Sequence, residues 1–285
     1  MAEFLSLSAI APLLAAEGLD CFGLIPLSAC RLGRAYLLER QGISPDAEGS
    51  VLMMALPYYT PAEERNLSRY AIPPDYHHVA ADLFGRLIPR LREAFPGGHF
   101  AGFADHSPID ERHAAALAGL GVMGDHGLIL TRRYSSYVFL CEIISDLPTD
   151  ALPHSVEECA HCGACARACP VGLDKTRCRS ALTQKKGNLT PEEEDAIREG
   201  GSAWGCDICQ EVCPFTARAL TDGTICSPLP GFTEHLIPRL TAEQIENMDD
   251  DTFALRAYAW RGRETVLRNL RLLEKENSPC PQMKK

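Results

Sequence analysis

Apolar positions follow two spacings along this chain. Residues 4–17 read as a first amphipathic helix, and CFGLIPL as a short strand after it. ACRLGRAYLLERQG predicts a second helix with Gly42 as its stop. SVLMMALPYY is a near-continuous apolar run and predicts a buried strand. From Tyr76 to Phe95, Val79, Leu83, Leu87 and Leu91 recur every four residues, which puts them on one helix face. HFAGFAD then predicts a strand, DERHAAALAGLG a helix and SYVFLCEII a buried strand. This alternation runs to about residue 150 and predicts an α/β layer fold. Residues 157–216 lack long periodic runs, apart from a short exposed helix at PEEEDAIREGG; residues 238–276 read as helical, closed by Pro279 and Pro281. The expected organisation is an α/β domain over 1–150, a cysteine-rich domain over 151–230 and a helical segment over 231–285 packing on the core.

Composition narrows the class. The chain has 285 residues, 46% hydrophobic and 23% charged, enough for a sizeable core. No apolar run approaches the ~20 residues of a membrane helix. The start carries Glu3 and no Lys or Arg before its apolar stretch, so it reads as a helix and not a signal peptide; a cytoplasmic monomer is expected. The net charge of −10 argues against a partner bound mainly through phosphate charge, though not against a local basic patch.

Thirteen cysteines change the picture. Eight stand in one block; Cys21, Cys30, Cys141, Cys226 and Cys280 are scattered. That distribution fits a reduced compartment and a metal site better than a disulfide framework. Cys159, Cys162, Cys165 and Cys169 form C-x2-C-x2-C-x3-C-P, the run of two-cluster ferredoxins, in which the fourth cysteine ligates the neighbouring cluster. Cys206, Cys209 and Cys213 give a second, shortened motif, and Cys178 in DKTRCRS completes eight. By symmetry one [4Fe-4S] cluster takes Cys159, Cys162, Cys165 and Cys213, and the other takes Cys169, Cys178, Cys206 and Cys209. Zinc would use four ligands, and eight cysteines with two Cys-Pro endings suit it poorly.

A two-cluster ferredoxin needs only about sixty residues, so the remaining chain implies a redox site that the clusters feed. GLGVMG, Gly119 to Gly124, matches G-x-G-x-x-G but follows a helix and not a strand, which argues against dinucleotide binding. A backbone approach to a large flat ligand and a simple helix cap with a turn both stay open.

At this point the sequence resembles the epoxyqueuosine reductase family, itself related to reductive dehalogenases. The resemblance rests on PPDYHHVAADLF, FADHSPIDERHAAALAGLGVMGDHGLILTRRYSSYVFLCEIISDLP, TRCRS, WGCDICQEVCPF and AWRGRETVLRNL, in that order from about residue 18 to 272. It implies reduction of the epoxide of epoxyqueuosine in tRNA, with cobalamin bound without its lower ligand and a low-potential donor such as flavodoxin or ferredoxin. Cobalamin enters through the resemblance alone. The family's acid matches Asp105, which would need a raised pKa from burial beside an apolar cofactor. The D-Y-H stretch matches Asp75, Tyr76 and His77: Asp75 to orient substrate hydroxyls, Tyr76 to bond or stack on substrate, His77 toward the cofactor. Arg112 matches an arginine near the active site. Gly121, Gly124, Tyr134, Ser135, Ser136, Tyr137 and Val138 fall where the family's cofactor-lining chain runs.

Three departures stand beside the resemblance. The segment before ALPYY is short, Asp125 stands where members usually carry Lys, and the chain stops where many members continue into a helical-repeat tail that contacts tRNA. Arg261, Arg263, Arg268 and Arg271 offer either a phosphate-contacting face or a solvated helix. Two alternatives therefore remain: the same chemistry on another epoxide, organohalide or corrinoid partner, and a non-catalytic electron carrier.

Overall fold

The computed structural model describes residues 4–276. Cys280 and the closing prolines lie outside them. The chain begins with α1 (Leu7–Ala16), whose N-cap Ser6 accepts a hydrogen bond from the Ala9 N–H. Then follow β1 (Phe22–Pro26), α2 (Tyr36–Arg40), β2 (Ser50–Pro57), α3 (Tyr76–Ala94), β3 (Phe100–Phe103), α4 (Glu111–Leu117), β4 (Val122–Met123), β5 (Ile129–Leu130) and β6 (Val138–Ser145). Four strands form one sheet in the order β1-β2-β6-β3, with every neighbouring pair antiparallel; β4 and β5 make a separate two-stranded hairpin.

The sheet is covered on both faces, which explains the unbroken apolar run of β2. Period-2 alternation sends Leu52, Met54 and Leu56 to the face under α1 and α3, where Leu83, Leu87 and Leu91 meet them. Val51, Met53 and Ala55 face the other way, toward α2 and the alanines of α4. The apolar stripe of α3 lands on the sheet as its spacing predicts.

ACRLGRAYLLERQG forms a helix only at its end. Residues 31–34 are instead drawn against residues 108–110: the Gly33 and Arg34 N–H groups donate to the Pro108 carbonyl, and the Asp110 N–H donates to the Arg31 carbonyl. Those groups cannot also serve a helix, so a tertiary pairing overrides local propensity.

The cysteine-rich block carries α5 (Ala164–Ala168), α6 (Arg179–Thr183), α7 (Pro191–Gly200), α8 (Ile208–Glu211) and α9 (Pro214–Thr221), with α7 closed by a Thr190/Glu193 capping box. The tail is broken into α10 (Pro230–Thr233), α11 (Ala242–Asn247), α12 (Asp250–Ala254) and α13 (Arg263–Glu276). Asp249 restarts the chain as an N-cap, and Gly262, at φ +84°, turns it into the last helix. These helices bury Ile245, Phe253, Tyr258, Val266 and Leu270 with Leu67, Ile72 and Trp204 in a third core, which lies against the cysteine block as well as the loop after β2. Replacing Leu87 by Ala should lower the unfolding free energy by about 3 kcal/mol through the cavity left between α3 and the sheet, read as a lower denaturant midpoint at unchanged m-value.

Candidate active site and metal centres

Local turns bring the cysteines together in two sets. Gly163, at φ +70°, lets the chain reverse between Cys162 and Cys165. Cys159, Cys162 and Cys165 then line one cavity of about 70 Å³, and the fourth thiol on it is that of Cys213, from the second motif. On the other side of the α5–α8 contact, the Cys209 thiol has Cys206, Cys169 and Cys178 as its electrostatic neighbours. Four thiols converging on one cavity are the donor set that an iron–sulfur cube takes. All twelve described cysteines are free. Cys141 is buried in β6 as part of the apolar core, and burial pushes the Cys21 thiol up to about 12, so neither is a reactive thiol.

Asp125 has a visible local task. Its carboxylate bonds His161 Nδ1 at 2.7 Å, while Glu158 lies 3.1 Å from Nε2, and this holds His161 at φ +48° in the loop between Cys159 and Cys162. One ligand atom from each of Asp125, Cys159 and His161 lies within 4.8 Å of the others. This trio sits at the rim of the first cysteine set.

The β4–β5 hairpin stands between that set and a second cavity. Leu130 faces the cysteine-lined cavity; its neighbour Ile129, with Leu128, lines an open cleft of about 170 Å³. The wall between the two is one strand thick. Tyr76, Glu111, Arg112, Ser136, Val138, Phe139 and Leu140 complete the cleft. Tyr76 stacks flat on Phe139, with ring centroids 4.1 Å apart and planes 6° from parallel. Burial, and then the charges of Asp105 and Glu111, push its phenol well above the ordinary tyrosine range. Arg112 Nη1 donates to the Gly127 carbonyl at 2.8 Å and so ties α4 to the hairpin tip.

Around the cleft stand the remaining acids. Asp75 caps α3: its Oδ1 accepts from the His77 N–H and meets His77 Nδ1 at 2.7 Å. Burial works to raise Asp75, but the bonds from His77 outweigh it and hold the carboxyl below its usual range; the same bond raises His77. His77 Nε2 reaches to 4.0 Å from Asp105 Oδ2. Asp105 itself is three-quarters exposed (75%) and sits at φ +61°, a left-handed turn that a non-glycine residue adopts at a cost. The burial expected for a proton donor is therefore not met in the free chain.

The chain segment 134–138 divides. Ser136 and Val138 line the cleft. Tyr134, Ser135 and Tyr137 are buried away from it: the Tyr134 hydroxyl donates to Asp20, and Ser135 Oγ lies 2.8 Å from Thr216 Oγ1. Ser136 Oγ also donates to Gln210 Oε1. Gly121 and Gly124 serve the hairpin. A Cβ on Gly121 would strike the Leu130 carbonyl at 2.3 Å, and one on Gly124 would crowd the His126 ring at 2.7 Å.

Sequence reasoning missed two carboxyls. Glu142 is fully buried in β6, and its Oε1 accepts from Ser107 Oγ. Glu111, at the start of α4, accepts the Asp105 N–H on its Oε1 at 3.1 Å. Burial pushes Glu111 up to about 7, and burial with the facing Glu111 charge pushes Glu142 well up too. The available signal was a charged residue inside the apolar run VFLCEII, which in a strand buried on both faces has no route to water. Three of the four tail arginines bond within the chain, Arg263 with Asp250, Arg271 with Glu246 and Arg268 with the Gly187 carbonyl, while the Arg261 guanidinium lies over the Trp260 ring.

Comparison with known proteins agrees with this geometry. Residues 158–216 match the family model for a 4Fe-4S double cluster binding domain, and residues 42–106 match the model described as epoxyqueuosine reductase QueG, DUF1730. Fold and site thus define an iron–sulfur oxidoreductase. An epoxyqueuosine reductase of Gloeobacter violaceus is 32% identical over 219 residues, covering 72% of this chain and 68% of the relative. That of Cyclobacterium marinum is 31% identical over 252 residues, covering 80% and 77%. The epoxyqueuosine reductase of Streptococcus thermophilus shares the fold at a TM-score of 0.72 and 22% identity, over 93% of this chain and 79% of that one. The chain belongs to the epoxyqueuosine reductase family. No described helix is long and apolar enough to cross a membrane.

The two cysteine sets predict a graded metal loss. Anaerobically reconstituted protein should hold about eight irons; Cys213→Ala should leave roughly four, and Cys141→Ala should leave the full number, by iron analysis.

Proposed function

We propose that this chain reduces the epoxide of epoxyqueuosine in tRNA, with cobalamin at the cleft and two [4Fe-4S] clusters as its electron supply. One observation carries the reading: a single strand, with Leu130 on one face and Ile129 on the other, separates the Cys159/Cys162/Cys165/Cys213 cavity from the cleft that Tyr76 and Arg112 line. Electrons leaving the first cluster would have only that strand to cross. Relatives that carry the epoxyqueuosine reductase name, and a similar fold seen in a crystal with an epoxyqueuosine-modified tRNA-Tyr stem loop, support the same substrate.

The cleft residues fit a corrinoid. Leu128, Ile129, Val138, Phe139 and Leu140 make an apolar wall suited to a flat ring, and Arg112 places a cation at its rim for polar fringe groups. When bound, cobalamin supplies a low-potential metal able to accept electrons singly and deliver reducing equivalents to carbon. The protein's own part is to position and to move protons. Tyr76, stacked on Phe139, offers a hydrogen bond and a face to the substrate ring. Asp75, held ionised by His77, accepts from substrate hydroxyls. Each C–O bond that breaks leaves an oxygen needing a proton, and Asp105, at the mouth beside His77, gives it. A tRNA loop settling over the exposed Asp105 would exclude water from the proton transfer. A flavodoxin or ferredoxin would refill the clusters.

The net charge of −10 and the internally engaged arginines favour a second reading, in which the same site takes a smaller epoxide. Anaerobic turnover of epoxyqueuosine-bearing tRNA, compared with the free nucleoside, separates the two: tRNA turnover at least tenfold more efficient supports the first. Asp105→Asn should lower kcat by 10²-fold or more with little change in KM, the size expected for loss of a general acid. Full turnover by that variant rules out Asp105 as the donor.

A further inference from the structure

Two carboxyls, Glu111 half-buried on the cleft wall and Glu142 fully buried in β6, are left without a role by the reading above. Glu111 and Glu142 come from different elements, yet each holds one residue of the same turn: Glu111 Oε1 takes the Asp105 N–H at 3.1 Å, and Glu142 Oε1 takes the Ser107 hydroxyl. Ser107 Oγ in turn accepts the Ile109 N–H at 3.1 Å, which extends the anchorage toward α4. The second Glu142 oxygen, Oε2, is buried and makes no hydrogen bond of good geometry, while the Glu111 carboxyl is its closest electrostatic partner. Such a group costs several kcal/mol if ionised and isolated, so it keeps a proton or shares one.

We propose that Glu111 and Glu142 share one proton and, in that state, act as positioning residues that hold the strained Asp105 turn at the mouth of the cleft. This rests on the assignment of Asp105 as proton donor. The left-handed φ of Asp105 costs energy that its own side chain does not repay, since that side chain is mostly in solvent. The repayment comes from the backbone bond to Glu111. Loss of the shared proton puts two carboxylates side by side beneath a third, and the turn is then pushed outward. The other groups facing the pair are mostly acidic or neutral: Asp105 and Asp110 beside Glu111, Cys141 and Cys30 near Glu142, and Tyr76 and His77 across the mouth. The cationic groups nearby are engaged elsewhere: His77 is bonded to Asp75, and Arg112, beside Glu111 on the cleft wall, donates to the Gly127 carbonyl.

The sign is that of a carboxyl raised on folding. Glu111 ionises at about 4.5 in the unfolded chain and at about 7 in the folded one, so its contribution is full below 4.5 and is lost as pH rises through 7. Wild-type protein should therefore lose stability between about pH 4.5 and 7 relative to the double variant Glu111→Gln/Glu142→Gln, which keeps acceptors for the Asp105 N–H and Ser107 and has no proton to lose. Denaturation midpoints of cluster-loaded, corrinoid-free protein measure this without turnover. Infrared difference spectra should show a protonated-carboxyl band that titrates near neutrality in the wild type and is missing in the double variant Glu111→Gln/Glu142→Gln. In turnover, Glu111→Ala should lower kcat about tenfold, the scale of one lost hydrogen bond, and Glu111→Gln should restore most of it by keeping the acceptor for the Asp105 N–H. The alkaline limb of the kcat profile should move in Glu142→Gln. Parallel pH–stability curves and an unchanged infrared band overturn the shared proton, whatever Asp105→Asn does. Inactive Glu111→Gln overturns the positioning role. If Asp105→Asn stays active while the band titrates as stated, the acid assignment falls and the pair stands.

Discussion

The molecule is organised by the crossing of its two cysteine motifs. Cys213 follows the second motif in sequence but joins the cavity of the first, while Cys169 ends the first motif and joins the thiols of the second. The 43 residues between Cys169 and Cys213 therefore run from the thiols of one set to those of the other. Neither cysteine set can be filled unless both motifs are docked, because short spacings supply three corners of a cube and the fourth has to come from elsewhere. The small helices α5 and α8 are too short to be stable alone, and gain their support from this arrangement.

From that crossing the α/β domain takes its position. Residues that follow or precede the second-motif thiols reach across to it: Gln210 accepts from Ser136 and Tyr58, and Thr216 bonds Ser135. Asp207, between Cys206 and Cys209, receives the Ser68 hydroxyl, the Arg69 N–H and the Arg65 guanidinium. A buried carboxylate with three donors is well satisfied, and removal of any donor would leave charge exposed to a low dielectric. The junction is polar and specific in register, unlike the two apolar faces of the sheet. The hairpin of β4 and β5 is thereby clamped with one face to sulfur and the other to the cleft.

The acidic surroundings of the cleft follow a single logic. The bonds from His77 hold Asp75 below its usual range, whereas burial raises Glu111 and Glu142, which have no cation bonded to them. Carboxyls within one small region are thus pushed in opposite directions by their surroundings.

The local pattern of the chain was sufficient for the strands at 22–26, 50–57 and 138–145, for the helix at 76–94 and for the run Cys159, Cys162, Cys165, of which all three thiols line one cavity. Those follow from period, turn residues and ligand spacing, which act over a few residues. Other features were decided only by folding. ACRLGRAYLLERQG lost most of its helix because its backbone met residues 108–110. Gly121 and Gly124 of GLGVMG were required by the Leu130 carbonyl, across the hairpin, and by the His126 ring, partners that no fingerprint encodes. Tyr134, Ser135 and Tyr137 turned inward to the junction, and Glu142 acquired its meaning only when α4 laid Glu111 over it. Spacing along a chain determines which groups can share an element; the free energy of burial and pairing between elements determines which of them meet, and that is a property of the assembled molecule alone.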